Sequence, residues 1–374
     1  MVLLKSDSMR IEKIELYALR VPMRVPFEAS FGGWRERETT LVCVKGEGVV
    51  GYAESVALPG TFYSEETPSS VWEMVARNAS RFIGIECDHP CVVTEMWPPQ
   101  NGSRMAVAAL EGAVWDWYCR CQGISLAQAL GGIRREVEAG VSIGMAESIE
   151  SVLTRVRAAV GEGYRRVKVK IKPGFDEALI AEIRREWKDL PLMVDANSVY
   201  TLEDVTLLKR LDAYHLLMIE QPFAATDLAG HARLQEQIAT PLCLDEGIAS
   251  LADAKKALEL GSCQVINLKP GRVGGLSEAK AIHDLCVQEN IPVWCGGMLE
   301  LGIGRSHNIA LASLAGFSIA GDLSPPLRTY AEDIVQPEVK FHRPGWLPVP
   351  CEPGIGVLPD FSVVDKYTVQ RLVL

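Results

Sequence analysis

Lys170, Asp195, Glu220, Asp245 and Lys269 follow one another at intervals of 25, 25, 25 and 24 residues. Each lies at or near the end of a short apolar run: VKVKI (167–171), LMVD (192–195), LLMIE (216–220), LCLDE (242–246) and VINLK (265–269). Strand-length runs recurring at that period, with helical stretches between them, are the rhythm of repeated βα units. If the runs are neighbouring parallel strands, five chargeable groups meet at one end of a barrel, the end where (β/α)8 enzymes place their chemistry. Three carboxylates suit a hard divalent cation. A lysine on either flank suits a base or acid on each side of a substrate held there.

Strand geometry sharpens the grouping. Alternate residues share a face, so Lys168 and Lys170 point one way while Val167, Val169 and Ile171 point towards the helices. Asp195 shares a face with Asn197, and Asn267 with Lys269. Taken alone, RRVKVKIK (165–172) reads as a solvated charge run, and each acid reads as a helix cap. The apolar alternation and the common period argue for the inward reading. Other readings are weaker. Cys87 and Cys91 bracket His89, but no second pair completes a metal site, so a loop is expected. GRVGG (271–275) has the glycines of a phosphate loop without its lysine.

The elements that must hold these residues fall into an α/β chain with two domains. Residues 1–8 read as a loose extension that is no signal peptide. Residues 9–130 read as an α+β capping domain. It has strands in IEKIELYALRV, TTLVCVKGEG and VVGYAESV, a loop at PFEASFGGW (26–34), and an apolar helix face within 103–122. Residues 131–329 read as a barrel of (β/α)7β type. VEAGVSIG (137–144) is its first strand, and IPVWCGGM (291–298) and FSIAGDL (317–323) are the last two. Thr201–Asp204 and Ser250–Asp253 look like capping boxes. Leu179, Ile183 and Trp187 mark one buried helix face, and Gly161 and Gly163 end the first helix. The Pro-rich residues 330–374 lose the repeat and return to the opening domain. In bulk, 374 residues with 48% hydrophobic content and a net charge of −10 fit a large core and argue against nucleic acid as a partner. No apolar run reaches membrane-span length. Ten cysteines without paired spacing read as reduced thiols of a cytoplasmic protein.

Several segments together, among them PFEASFG, GYAESVALPGTFYSEE, ALEGAVWDW, VKVKIKPG, VDANSVY, MIEQPF, LCLDEGI, NLKPGRVGG and WCGGMLELGIGR, carry a resemblance. From about residue 9 to the C-terminus the chain resembles the muconate cycloisomerase subgroup of the enolase superfamily, and within it the o-succinylbenzoate synthases that double as N-succinylamino acid racemases. The resemblance implies Mg²⁺ or Mn²⁺ on Asp195, Glu220 and Asp245, with Glu246 and Asn267 in support. It implies Lys170 as base, Lys168 beside it acting through like charge, and Lys269 on the opposite face. Ser142, Asn197, Gly297, Met298 and Leu299 match pocket-lining positions. Phe27, Phe31 and Tyr63 fall in two closing loops. Arg272 matches an arginine of the racemase-capable branch and is expected to bind substrate. Relatives commonly have Thr or Ser where this chain has Leu301, at the expected pocket edge. Asp322-Leu-Ser324 lacks the Asp-x-Asp of dipeptide epimerases. A small carboxylate substrate and a homo-oligomer are expected. A dedicated racemase, a muconate-type cycloisomerase using Glu300 as an acid, and a non-catalytic binding protein remain open.

Overall fold

The chain is seen in a computed structural model that describes residues 9–29, 32–61 and 63–374. Residues 1–8 and Phe31 lie outside the described residues, as does the Phe27 side chain.

The opening sheet is antiparallel and runs β15-β1-β2-β3, with β1 Lys13–Ala29, β2 Gly32–Gly46, β3 Val49–Glu54 and β15 Thr368–Val373. Its period-2 pattern serves two cores. Ile14, Leu16, Val42 and Val44 pack with the helix Arg104–Gln122. Tyr17, Leu19, Val21, Leu41 and Cys43 join the barrel core. A sheet covered on both faces reads as nearly continuous apolar sequence. The segment 26–34, expected to be a loop, instead carries the strand pairing on: Phe27 pairs with Trp34 and Ala29 with Gly32. The register shifts between Pro22 and Phe27, where Pro22 and Pro26 have no N–H to give a ladder.

The barrel sheet is parallel, in the order β11-β10-β9-β8-β7-β6-β5. Its strands are β5 Gly140–Ile143, β6 Arg166–Lys170, β7 Leu192–Asp195, β8 Ile219–Glu220, β9 Leu242–Leu244, β10 Val265–Leu268 and β11 Val293–Cys295. Two expected strands differ. The run 137–144 splits: β4 (Glu136–Glu138) pairs antiparallel with β13 (Trp346–Pro348), and only β5 enters the barrel. The run 317–323 forms no ladder. It closes the barrel through single bridges, Val293 with Phe317 and Ala139 with Gly321, and a Cβ on Gly321 would sit 2.8 Å from the Cys295 carbonyl oxygen. Thr201 and Asp204 do form a capping box, and Ser250 accepts from the Asp253 N–H at 3.2 Å. The helix Glu177–Glu186 buries Leu179 and Ile183 but ends before Trp187.

The glycine-rich GRVGG seats one domain on the other. A Cβ on Gly271 would lie 2.1 Å from Val56 Cγ2, one on Gly274 2.4 Å from Pro99, and one on Gly275 2.1 Å from Glu111 Oε2. Glu111, from the helix Arg104–Gln122, accepts the backbone N–H groups of Leu276 at 2.5 Å and Ser277 at 3.1 Å, the orphan donors that open the helix Leu276–Gln288. Glu54 at the end of β3 does the same for Gly302–Ala312, accepting from Gly304 N at 2.6 Å and Leu301 N at 3.2 Å.

Candidate active site

Lys170 lies opposite Asp195, and Asp195 opposite Glu220, in the parallel register of β6, β7 and β8. This alignment puts the three side chains in one layer at the strand ends. Lys170 Nζ is 2.6 Å from Asp195 Oδ2 and also donates to Asn197 Oδ1. Asn197 has a left-handed backbone (φ 44°), and its amide donates to Glu246 Oε1 at 3.0 Å. On the other flank Lys269 Nζ is 2.7 Å from Asp245 Oδ2 and 3.0 Å from the Tyr63 hydroxyl, with the ammonium 4.8 Å from the Tyr63 ring centroid. Tyr63 thus reaches from the capping domain onto one of the two lysines.

Lys168 lies deeper. Its Nζ is 2.9 Å from Glu220 Oε2, 3.0 Å from Asp322 Oδ2 and 3.3 Å from Asp195 Oδ2, and it sits 4.8 Å from the Trp294 ring. Burial pulls its proton affinity down, but Asp322, Glu220 and Asp195 outweigh burial and hold it well above the usual lysine range. The expected like-charge action on Lys170 therefore meets Asp195, which contacts both ammonium groups, while Lys168 is also paired with Glu220 and Asp322.

The carboxyls are not equivalent. Burial, then Asp195, pushes Glu220 up to about 8. Burial, then Asp245 and Asp195, pushes Glu246 up to about 7. Asp245 is held well below the ordinary range because Lys269 and Arg272 outweigh its burial, and Asp195 is lowered because Lys170 and Lys168 do the same. As they stand, no three His, Cys, Asp or Glu side chains among the described residues are grouped to hold a metal ion. The donor set nonetheless suits a hard cation. Oxygen ligands come from three adjacent strands, two neighbouring acids are raised by burial and then by the other carboxylates, and Glu246 Oε2 and Asn267 Oδ1 are buried without a hydrogen-bond partner. Asn267 spends its amide on Glu220 Oε1 at 2.7 Å.

A cavity of about 420 Å³ opens over this layer, within the range of small-molecule sites. Ser142, Asn197, Gly297, Met298, Leu299 and Tyr63 line it together with Lys168, Lys170, Lys269, Asp195 and Asp245. Two expectations need correction. Arg272 does not line the cavity. It pairs with Asp245 and donates to the Ile248 carbonyl at 2.7 Å, so it braces a carboxylate from behind. Leu301 is not at the pocket edge but fully buried where the helix Gly302–Ala312 begins.

Some participants carry little sequence signal. Gln221 (φ 39°) accepts the N–H groups of Asp245 at 3.0 Å and Gly247 at 3.1 Å, fixing the end of β9. Arg166 pairs with Asp322 at 2.8 Å and stacks 4.7 Å from Trp294. The alternation that groups Lys168 with Lys170 also includes Arg166, and is the signal that could have found it. Met23, Arg155, Arg305, Ser324 and Arg328 reach the cavity from remote segments that carry no pattern.

Residues 151–363 match the family model described as Enolase C-terminal domain-like, and residues 13–131 match the mandelate racemase / muconate lactonizing enzyme N-terminal domain. The chain is 48% identical over 363 residues to an o-succinylbenzoate synthase of Geobacillus kaustophilus, covering 96% of each. It is 42% identical over 364 residues to an N-succinylamino acid racemase of Thermus thermophilus, covering 97% of this chain and 98% of that one. A solved enolase-superfamily structure from Listeria innocua superposes with a TM-score of 0.94 at 41% identity, covering 98% of this chain and 99% of that one. With acids and lysines set at the ends of parallel strands and these matches along its whole length, the chain belongs to the enolase superfamily, in the family of o-succinylbenzoate synthases and N-succinylamino acid racemases.

Proposed function

We propose that this chain is an o-succinylbenzoate synthase with N-succinylamino acid racemase activity. The synthase reaction is dehydration of 2-succinyl-6-hydroxy-2,4-cyclohexadiene-1-carboxylate. The observation that carries the reading is the pair of lysines, Lys170 and Lys269, standing at opposite flanks of one carboxylate layer under one cavity. Asp195, Glu220 and Asp245 would hold Mg²⁺ or Mn²⁺. Such a cation neutralises the charge that builds on a carboxylate as its α-proton leaves; enolase-superfamily sites, which pair Mg²⁺ with a Lys or His base, are a known instance of this chemistry. Lys170 takes the α-proton and returns it to the departing hydroxyl, which leaves as water. Lys269 faces the other side of the α-carbon and stays cationic, held up by Asp245 against its burial. Racemisation uses the same first half, with the second lysine delivering a proton to the opposite face.

The dedicated-racemase reading is favoured by that same two-sided symmetry. The cycloisomerase reading is weakened because Glu300 already accepts from Met298 N at 2.9 Å and Asn308 Nδ2 at 2.8 Å. The proposal places the protein in the cytoplasm as a homo-oligomer acting on a small carboxylate. Among the described residues no helix is long and apolar enough to cross a membrane. The test is kcat/KM for the cyclohexadiene carboxylate and for N-succinylamino acids, with Mg²⁺ and after chelation. Activity on both that vanishes with the metal, and that is lost in Asp195→Asn, Glu220→Gln and Asp245→Asn while metal content falls, is expected. Full activity after chelation overturns the metal assignment. Racemisation far exceeding dehydration makes the racemase reading the right one.

A further inference from the structure

Lys168 is held by three carboxylates of unequal standing. Glu220 Oε2 lies 2.9 Å and Asp195 Oδ2 3.3 Å from its Nζ, and both acids belong to the set proposed to hold the cation. The third, Asp322 Oδ2 at 3.0 Å, does not. Asp322 comes from the run 317–323, which closes the barrel without a ladder, and it is fixed from several sides. Its N–H donates to the Cys295 carbonyl at 2.8 Å, its carbonyl accepts from Arg305 Nη1, and its Oδ1 accepts from Arg166 Nη2 at 2.8 Å. Arg166 is fixed in turn. It gives Nε and Nη2 to the Ala320 carbonyl at 3.0 and 2.9 Å and lies 4.7 Å from the Trp294 ring. Gly140 leaves it room, since a Cβ there would sit 2.6 Å from the guanidinium carbon. One oxygen of Asp322 is therefore anchored by an arginine, and the other is turned to Lys168.

An ammonium and a divalent cation that draw on the same carboxylate oxygens repel one another at close range. A Lys168 that stays on Asp195 and Glu220 therefore competes with a metal for them. Among the described residues, Asp322 is the one ion partner of Lys168 outside that set. We propose that Asp322 is a positioning residue for the cation site: it retains the Lys168 ammonium when Asp195 and Glu220 serve a metal, and so raises the affinity of the layer for a divalent cation. Arg166 acts one step behind, by holding Asp322 in place. The inference deepens the proposed function and rests on it for the identity of the metal ligands.

The test is a double-mutant cycle read as Mn²⁺ affinity, measured by calorimetry on the full chain without substrate. The four proteins are the wild type, Asp322→Asn, Lys168→Met and the double variant. Asp322→Asn should weaken Mn²⁺ by about tenfold when Lys168 is present, and by less than about twofold in the Lys168→Met chain, where no ammonium needs to be retained. Lys168→Met alone should bind Mn²⁺ more tightly than the wild type. Simple loss of one negative charge near the site, or a general loosening of the seam, would weaken both backgrounds alike, and that result overturns the role of Asp322. So does an Asp322→Asn chain that binds Mn²⁺ as the wild type does. If Asp322→Asn fails to fold because Arg166 is left without its carboxylate, Arg166→Met with Asp322→Asn removes both buried charges and carries the same comparison. A wild type that binds no Mn²⁺ overturns the metal assignment and this inference with it. A wild type that binds Mn²⁺ with no dependence on Asp322 leaves the metal assignment standing and removes only the positioning role.

Discussion

Lys170 and Lys269 differ in what surrounds them. Lys170 donates to one carboxylate and one amide oxygen at the edge of the cavity, whereas Lys269 is buried between Asp245 and the Tyr63 hydroxyl. If each serves one face of the α-carbon, their removal should not be equivalent. Lys170→Ala and Lys269→Ala should each lower racemisation by at least ~10²-fold, the usual size of a positioned acid or base. In D₂O the lysine that remains should still exchange the α-proton of one enantiomer, and the favoured enantiomer should be opposite in the two variants. Loss of the same enantiomer's exchange in both would place the two lysines on one side.

Between the domains, the chain uses buried glutamates where water would normally satisfy a helix start. Burial pushes Glu111 up to about 7, and the N–H bonds from Ser277 and Leu276 only partly oppose it. A carboxyl in the unfolded chain titrates at about 4.3. The folded state therefore binds this proton more tightly. The stabilisation is complete below about pH 4 and is lost as pH rises through about 7. Glu111→Gln keeps an acceptor oxygen but cannot titrate. Urea midpoints between pH 5 and 8 should fall more for the wild type than for Glu111→Gln. Parallel slopes would show that this carboxyl is ionised throughout.

At the scale of the whole molecule, the first and last strands of the described residues meet. β15 pairs with β1 from Glu15–Val373 to Leu19–Thr368, so the last strand closes the sheet begun by the first. Capping-domain stability then depends on residues more than three hundred positions away. Deleting residues 368–374 removes that ladder and uncovers Tyr17, a loss of roughly 3–5 kcal/mol at about 1 kcal/mol per hydrogen bond. Limited proteolysis should cut the truncated chain first in the opening domain. Unchanged resistance would mean that β1 to β3 hold alone. Because Tyr63 and Glu54 reach the barrel from that domain, substrate binding should weaken in the same variant.

The site layer was legible because its code is local. A period of about 25 residues fixes which strands are neighbours, and a period of two fixes which side chains face inward, so Lys170, Asp195, Glu220, Asp245 and Lys269 could be grouped without coordinates. The partners within the layer were not legible. Lys168 beside Lys170 reads as like charge until Asp322, more than 150 residues on, is folded against it. Arg272 reads as a substrate contact until its packing behind Asp245 is seen. GRVGG shows only that backbone must come close to something; that the something is Val56, Pro99 and Glu111 is settled by domain docking. The eighth strand failed for the same reason. Its apolar run satisfies local propensity, but ladder formation depends on what lies on either side of the closing seam. Local periodicity determined the strands and their faces, while charge pairing, interdomain contact and barrel closure depend on distances that only the tertiary structure sets.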